Sequence, residues 1–180
     1  LARKKCPYLD VYHSNRSIYK EFSDKMYEYL LQYTNIVERY SIDECFLDYT
    51  YSINLFGDPI KLAYKIKDDI KNKFGFTVNV GIGNCKILAK MASDFEKPDR
   101  VHTLFRNEIP QKMWPLSVRD LFSVGASTAE KLEKARIKTI GDLANTPLDR
   151  VQRIVGVKLG KQIHDYANGI DDSPVLEAPE

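Results

Sequence analysis

The pattern of apolar residues changes near residue 110, and this change limits the folds that the chain can adopt. Before it, segments with apolar residues every three or four positions, typical of helices, alternate with short segments typical of strands. After it, short helical segments follow one another, separated by glycine turns. The pattern predicts an α+β domain over residues 1–109, an all-α domain over residues 110–174 and a linker over residues 175–180.

The first part is expected to form a mixed sheet with helices on one face. Asp58-Pro59 is typical of a helix start, with an aspartate cap and proline in the first turn. The acidic pair Asp43-Glu44 follows a β-rich segment and is followed by another, so it is expected at or just after a hairpin turn. The spacing predicts helices over residues 16–33, 59–74 and 86–95, strands over residues 76–82 and 102–105, and a hairpin within residues 36–50.

Composition leaves the partner open and excludes some classes of site. The net charge is only +2, and residues 117–180 hold nine Lys or Arg against ten Asp or Glu, so that part is no basic patch. Three widely spaced cysteines favour reduced thiols in a cytoplasmic protein over a disulfide framework or a zinc site. No run reaches the roughly 18 apolar residues of a membrane span, so no membrane partner is expected.

Asp43 and Glu44 are candidate metal ligands, because magnesium prefers oxygen donors and phosphoryl transfer uses metal ions to neutralise phosphates. Lys90 and Lys97, at the end of a predicted helix and just beyond it, are candidate partners of a triphosphate. Taken alone, acids at a turn are more often solvated turn residues than metal ligands, and single lysines on a helix are more often solvated than bound to phosphate.

Two glycine turns in the helical part are candidate DNA contacts. A helix that begins at Ser127-Thr128 after such a turn presents free backbone N–H groups to a phosphate oxygen, and such contacts hold the backbone without reading bases. An ordinary capped helix pair is the alternative. The candidate residues are Val124, Gly125, Ser127, Thr128 and Lys131, with Gly125 expected to be needed for the turn, and Gly156 in a second turn before Lys158 and Lys161.

Three blocks taken together carry a family resemblance: YSIDECFLDYT at residues 40–50, VNVGIGNCKILAKMASDFEKPDR at residues 78–100, and the block KMWPLSVRDLFSVGASTAEKLEKARIKTIGDLA at residues 112–144. In this order and spacing they resemble the Y-family, translesion DNA polymerases, especially the DNA polymerase IV branch. The resemblance covers nearly the whole chain. It implies a partial palm domain over residues 1–109, followed by a thumb domain with helix-hairpin-helix motifs over residues 110–174.

The resemblance also implies roles for the candidate residues. Asp43 would be a ligand of the catalytic metal, and Glu44 its neighbour at the primer 3′-hydroxyl, in a site that holds two magnesium ions. Lys97 would contact the incoming deoxynucleoside triphosphate, with Lys90 as a further phosphate partner, while Asp48 would be structural. The implied reaction adds deoxynucleotides to a primer on template DNA, opposite damaged bases, as part of the response to DNA damage.

The sequence departs from the family pattern in several places. The strand with a further metal-binding aspartate, the fingers residues and the DNA-binding domain after the thumb are not found, and residues 175–180 would be the linker to that domain. Arg100 stands where glycine is common, and GNCK at residues 83–86 replaces a more usual turn. The chain is therefore expected to be a piece of a longer protein, inactive alone, that binds duplex DNA weakly.

Two alternatives remain from the sequence. The chain could act as a non-catalytic DNA-binding module, or belong to a different palm enzyme such as a nucleotide cyclase, although paired helix-hairpin-helix elements argue against the cyclase. A sliding clamp is a possible partner through regions outside the chain.

Overall fold

The longest helices form where apolar residues recur every three or four positions. The structure is a computed structural model that describes residues 2–177. Helix α2 (Arg16–Leu30) begins at Asn15, whose side chain accepts the Ser17 N–H, and buries residues such as Met26 and Tyr29. A very short helix, α1 (Ala2–Lys5), precedes it. The helix predicted over residues 16–33 is confirmed, with an end three residues earlier.

The second long helix, α4 (Pro59–Phe74), also confirms its prediction. The Asp58 carboxylate accepts the Ile60 N–H at 2.7 Å, which caps the helix, and Gly75 ends it in the left-handed conformation at φ +78°. A short helix, α3 (Ile53–Phe56), precedes it. Leu62, Ile66 and Ile70 form the buried face.

The strands form two small sheets. Strand β1 (Val37–Arg39) pairs antiparallel with β2 (Cys45–Leu47), and β3 (Val80–Gly83) pairs parallel with β4 (Val101–Leu104). The α+β class is confirmed, whereas the predicted single mixed sheet is present as two separate pairs. The hairpin around residues 40–44 is as predicted.

The strand predicted over residues 76–82 is wrong for its first four residues. Phe76 and Val78 are partly buried against the core formed by α2 and α4, and the chain has no ladder partner there. Pairing starts only at Val80, whose N–H donates to the Arg100 carbonyl at 2.9 Å. Helix α5 (Lys86–Asp94) then crosses the small parallel sheet.

From Arg106 to Ala167 the chain is built of short helices joined by turns, as predicted. Turns of 3₁₀ helix at Arg106–Glu108 and Val118–Asp120 accompany helices α6 (Ile109–Lys112), α7 (Ala126–Lys134), α8 (Ile140–Asn145), α9 (Leu148–Val155) and α10 (Val157–Ala167). Residues 171–177 extend from α10 without regular structure. Residues 178–180 of the predicted linker, and Leu1 of the predicted palm, lie outside the described residues.

Two apolar clusters stabilise these elements. One joins α2, β1 and α4 and includes Met26, Tyr29, Val37 and Ile70. The other runs from α5 and β4 into the C-terminal helices without a break at residue 110, with Leu88, Met91, Leu104, Ile109, Met113, Leu132, Ile140 and Ile163 among its members. Within residues 2–177, no helix has both the length and the apolar character needed to cross a bilayer.

Candidate active site

A cleft of about 1190 Å³ lies between the two small sheets. Its walls include residues of β2 and β3, the apolar faces of α2 and α4, and one side of α5. Asp43, Glu44, Lys90 and Lys97 all line it. The structure therefore places on one cleft the two acids and the two lysines that the sequence singled out.

The turn between β1 and β2 is closed by its own backbone. The N–H groups of Tyr40 and Ser41 donate to the Glu44 carbonyl at 2.9 and 3.1 Å. The Ser41 hydroxyl donates to Asp43 Oδ1 at 2.6 Å, and the Asp43 side chain is otherwise exposed. Asp43 makes no ion pair with a described residue, so its oxygens remain accessible to a cation from solution.

Glu44 is instead paired with a lysine. Lys90 Nζ lies 2.5 Å from Glu44 Oε1 and 3.2 Å from Asp94 Oδ2, and Lys97 Nζ lies 2.7 Å from Asp94 Oδ1. Two ammonium groups and two carboxylates thus alternate, and all of them except Asp94 line the cleft. The Lys90 side chain is only 14% exposed, whereas that of Lys97 is 59% exposed, so Lys97 is the more available to a ligand.

This alternation of charges shifts the pKa values of Lys90 and Asp94. Burial acts to lower the pKa of Lys90, but hydrogen bonds to Glu44 and Asp94 outweigh it and the pKa is raised. Burial acts to raise the pKa of Asp94, but hydrogen bonds from Lys97 and Lys90 outweigh it and the pKa is lowered. Lys90 and Asp94 therefore both stay charged around neutral pH.

Glycines in β3 bring α5 close enough for this arrangement. A Cβ atom at Gly81 would lie 2.0 Å from the Ala89 carbonyl oxygen and 2.5 Å from the Ser93 nitrogen. A Cβ atom at Gly83 would lie 2.7 Å from the Ala89 nitrogen. Because these contacts are with backbone, only glycine permits the close crossing that directs Lys90 toward the hairpin turn.

The carboxylates fit a divalent cation in kind, because they are oxygen donors on a closed turn. Asp43 and Glu44 supply two such side chains. Among residues 2–177 there is no group of three or more Asp, Glu, His or Cys side chains that could enclose a metal ion. A complete site would therefore need ligands in addition to those that the described residues bring together.

The candidate DNA contacts lie outside this cleft, in the helical part. Helix α7 begins at Ala126, directly after Gly125 and one residue before the predicted start. Ser127 and Thr128 lie in its first turn, Lys131 is exposed one turn later, and Val124 is 9% exposed. The helix N-terminus predicted in this segment is present.

The prediction that Gly125 is needed for the turn is wrong. Its φ is −78°, which any residue adopts, and a Cβ atom there would meet nothing within 4 Å. The residue with positive φ in this turn is Ser123, at +72°. Gly156, between α9 and α10, does need glycine, because its φ is +97°.

Sequence reasoning missed Asp94, which contacts both lysines of the cleft. Its position offered a signal, because it lies four residues after Lys90 and three before Lys97, the spacings at which side chains on a helix meet. It also missed Asn79, whose contacts are described below and which no local pattern marks.

Two family models match the chain. The impB/mucB/samB family matches residues 1–94, and the model described as DNA polymerase-iota, thumb domain, matches residues 119–171. The chain is 44% identical to a DNA polymerase IV of Clostridium acetobutylicum and 40% identical to DNA polymerase IV 2 of Bacillus subtilis, in each case over 97% of the chain and 43% of the relative. The chain thus spans less than half the length of these curated relatives.

This chain is also similar in structure to solved DNA polymerases. The crystal structure of DinB from Sulfolobus solfataricus superimposes with a TM-score of 0.88 at 27% identity, over 98% of this chain and 52% of that one. The structure described as an insertion ternary complex of Dbh DNA polymerase superimposes with a TM-score of 0.86 at 27% identity, over 97% of this chain and 51% of that one.

Proposed function

The chain belongs to the impB/mucB/samB family, that of the Y-family DNA polymerases, and from this premise we propose that its cleft serves template-directed DNA synthesis by two-metal phosphoryl transfer. The observation that carries the proposal is the shared cleft: the turn acids Asp43 and Glu44 line the same walls as Lys90 and Lys97. Primer-template DNA and deoxynucleoside triphosphates are the proposed substrates.

Each of these four residues has a proposed task. Asp43 and Glu44 would hold magnesium through their carboxylate oxygens; when bound, such ions lower the pKa of a primer 3′-hydroxyl and neutralise the phosphates of the nucleotide. Lys97, exposed beyond the end of α5, would meet those phosphates as a mobile point charge. Lys90 would balance the negative charge of Glu44 in the absence of metal, and a bound metal would replace Lys90 as the partner of Glu44.

The helical part would hold the DNA backbone. Helices α7 and α10 begin after exposed residues with no side-chain cap, so the N–H groups of their first turns would suit phosphate oxygens. Lys131 and Lys158 are exposed and make no ion pair with a described residue, so their charges are available to phosphate. Gly125, Ser127, Thr128 and Gly156 would contribute through their backbone, with Val124 anchoring the turn beneath them.

We further propose that these 180 residues alone do not extend a primer and act at most as a DNA-binding module. The described residues supply too few carboxylates to enclose a metal ion, and one of the two at the turn is engaged by Lys90. Incubation of the purified chain with magnesium, primed template and nucleotides should give no product. Extension would contradict this part of the proposal.

Catalysis can be tested in a chimera in which the chain replaces the matching residues of the Clostridium acetobutylicum relative. Asp43→Ala should reduce primer extension by more than about 100-fold, as expected for loss of a group that stabilises transferred charge. The control is Glu28→Ala, an exposed acid of α2 that does not line the cleft and should leave extension unchanged. Equal extension by the Asp43→Ala and Glu28→Ala chimeras would refute the proposal.

The use of damaged template, a sliding clamp as partner and a cytoplasmic location rest on resemblance and on composition. They stay predictions of this proposal. The division into palm and thumb at residue 109 is likewise a prediction, as is the assignment of residues 175–180 to a linker.

A further inference from the structure

The segment that carries Lys97, residues 95–100, is held in place mainly by side chains of other elements. It follows α5 and leads into β4, and its own backbone makes few hydrogen bonds, among them one from the Phe95 N–H to the Ala92 carbonyl at 3.3 Å. The position of Lys97 therefore depends on the side chains that other elements direct at this segment.

Asn79, which immediately precedes β3, makes three of these contacts. Its Nδ2 donates to the carbonyl oxygens of Ser93 at 3.0 Å and Glu96 at 2.8 Å, and its Oδ1 accepts the Arg100 N–H at 3.1 Å. The amide thus joins the last turn of α5 to both ends of the segment that bears Lys97. Both Nδ2 donors are engaged, so the amide cannot donate to a ligand without giving up its bonds to this segment.

Asp99 anchors the far side of the segment to α4. Lys67 Nζ lies 2.9 Å from Asp99 Oδ1, and Lys71 Nζ lies 2.6 Å from Asp99 Oδ2. Hydrogen bonds from Lys71 and Lys67 lower the pKa of Asp99. The backbone of Asp99 has a φ of +62°, a conformation that a non-glycine residue keeps only when its surroundings hold it.

We propose that Asn79 is a positioning residue for the nucleotide: its side-chain amide fixes the segment 95–100 so that Lys97 faces the cleft, with Asp99 as the second anchor. The inference rests on the proposed function of Lys97. It assigns to Asn79 a role in triphosphate recognition that requires no contact with the nucleotide.

The first test uses the 180-residue chain. Asn79→Asp keeps the size of the side chain and its acceptor for Arg100 but loses both donors to Ser93 and Glu96. Because the Arg100 N–H keeps its acceptor in this variant, exchange is followed at Phe95, whose N–H donates to the Ala92 carbonyl. Its amide hydrogen exchange should accelerate, and the backbone amide signal of Lys97 should shift. Asn145→Asp, which loses one amide donor to the Gly141 carbonyl in α8, is the matched control and should leave both signals unchanged. Unchanged exchange and an unchanged Lys97 signal in Asn79→Asp would overturn the structural part of the inference.

The second test is a double-mutant cycle in the chimera described above. Asn79→Asp should raise KM for the nucleotide by up to about 100-fold, the order expected when a binding group is misplaced, with a smaller effect on kcat. Lys97→Met should raise it similarly, and the double variant should be no worse than Lys97→Met alone, because Asn79 acts through Lys97.

The outcomes separate the inference from the function on which it rests. An Asn79→Asp effect of the same size with and without Lys97 would show a merely structural role and overturn the inference, as would no effect of Asn79→Asp on KM. If Lys97→Met leaves KM unchanged, the proposed nucleotide contact fails and the positioning role fails with it, while the exchange measurement still reports whether Asn79 orders the segment.

Discussion

The ammonium group of Lys90 lies 2.5 Å from the carboxylate of Glu44, and this contact joins helix α5 to the turn of the β1–β2 hairpin. The two residues are 46 positions apart in the sequence. The same ammonium group lies 3.2 Å from Asp94, so one largely buried cation serves two acids from different elements.

Removal of this cation should destabilise the fold. Lys90→Met should lower the free energy of unfolding by about 1–3 kcal/mol, because it leaves Glu44 without its partner beside the cleft. The same substitution at Lys97, whose side chain is 59% exposed, should change it by less than about 0.5 kcal/mol. Urea unfolding of both variants at neutral pH measures the difference, and equal stabilities would contradict the prediction.

The close crossing of β3 and α5 gives a second prediction. Gly81→Ala should destabilise the chain by about 3 kcal/mol or more, because the new Cβ would overlap backbone atoms of Ala89 and Ser93 that cannot rotate away. Gly125→Ala places the same group in open space and should be nearly neutral. Thermal unfolding compares the two, and a Gly81→Ala variant as stable as Gly125→Ala would refute the close approach.

Stability should depend on pH through Asp142. This carboxylate accepts the N–H groups of Thr139 and Lys138, and these bonds lower the pKa of Asp142. A folded-state pKa below the unfolded value of 3.8 contributes stability above that value, which is lost as pH falls through the folded pKa.

At pH 7, Asp142→Ala should therefore cost about 1 kcal/mol, the order of a lost helix cap. The difference from the unsubstituted chain should shrink steadily as pH falls below 4. Urea unfolding across pH 7 to 2.5 tests this. A difference that stays constant over the whole series would show that the carboxylate charge is not involved.

The chain should bind duplex DNA weakly and in a salt-dependent way, with an affinity no better than about micromolar at physiological salt. Lys131→Ala and Lys158→Ala should each reduce the slope of log affinity against log salt by about 1 if each lysine meets one phosphate. Fluorescence anisotropy with labelled duplex at increasing salt measures the slopes. No binding at low salt would count against the proposed interface.

The helices of the first half could be predicted because their apolar spacing and caps are local. Asp58 caps α4 as its position before Pro59 indicates. The strand prediction at residues 76–79 was wrong because alternation of apolar residues indicates burial and not strand pairing. Phe76 and Val78 are partly buried against the apolar cluster without pairing to a strand. Which strands pair is a property of distant segments, so one sheet could not be distinguished from two.

The gathering of Asp43, Glu44, Lys90 and Lys97 on one cleft agrees with the prediction from the sequence, which drew on three separated blocks together. The contacts of Asn79 with residues 14 to 21 positions away could not be predicted, because an isolated asparagine carries no pattern. The error at Gly125 has a related cause. A glycine in the sequence does not report its own φ, and here Ser123 takes the left-handed conformation instead.

The apolar cluster that runs from Leu88 and Leu104 into Ile140 and Ile163 has a consequence for dissection of the molecule. A cut at the junction near residue 110 would expose the apolar residues of α5 and β4 to solvent. It would also expose the apolar residues of the C-terminal helices that pack against them. Either half expressed alone should then aggregate and be poorly soluble. The two halves, when mixed, should reassociate through these apolar surfaces.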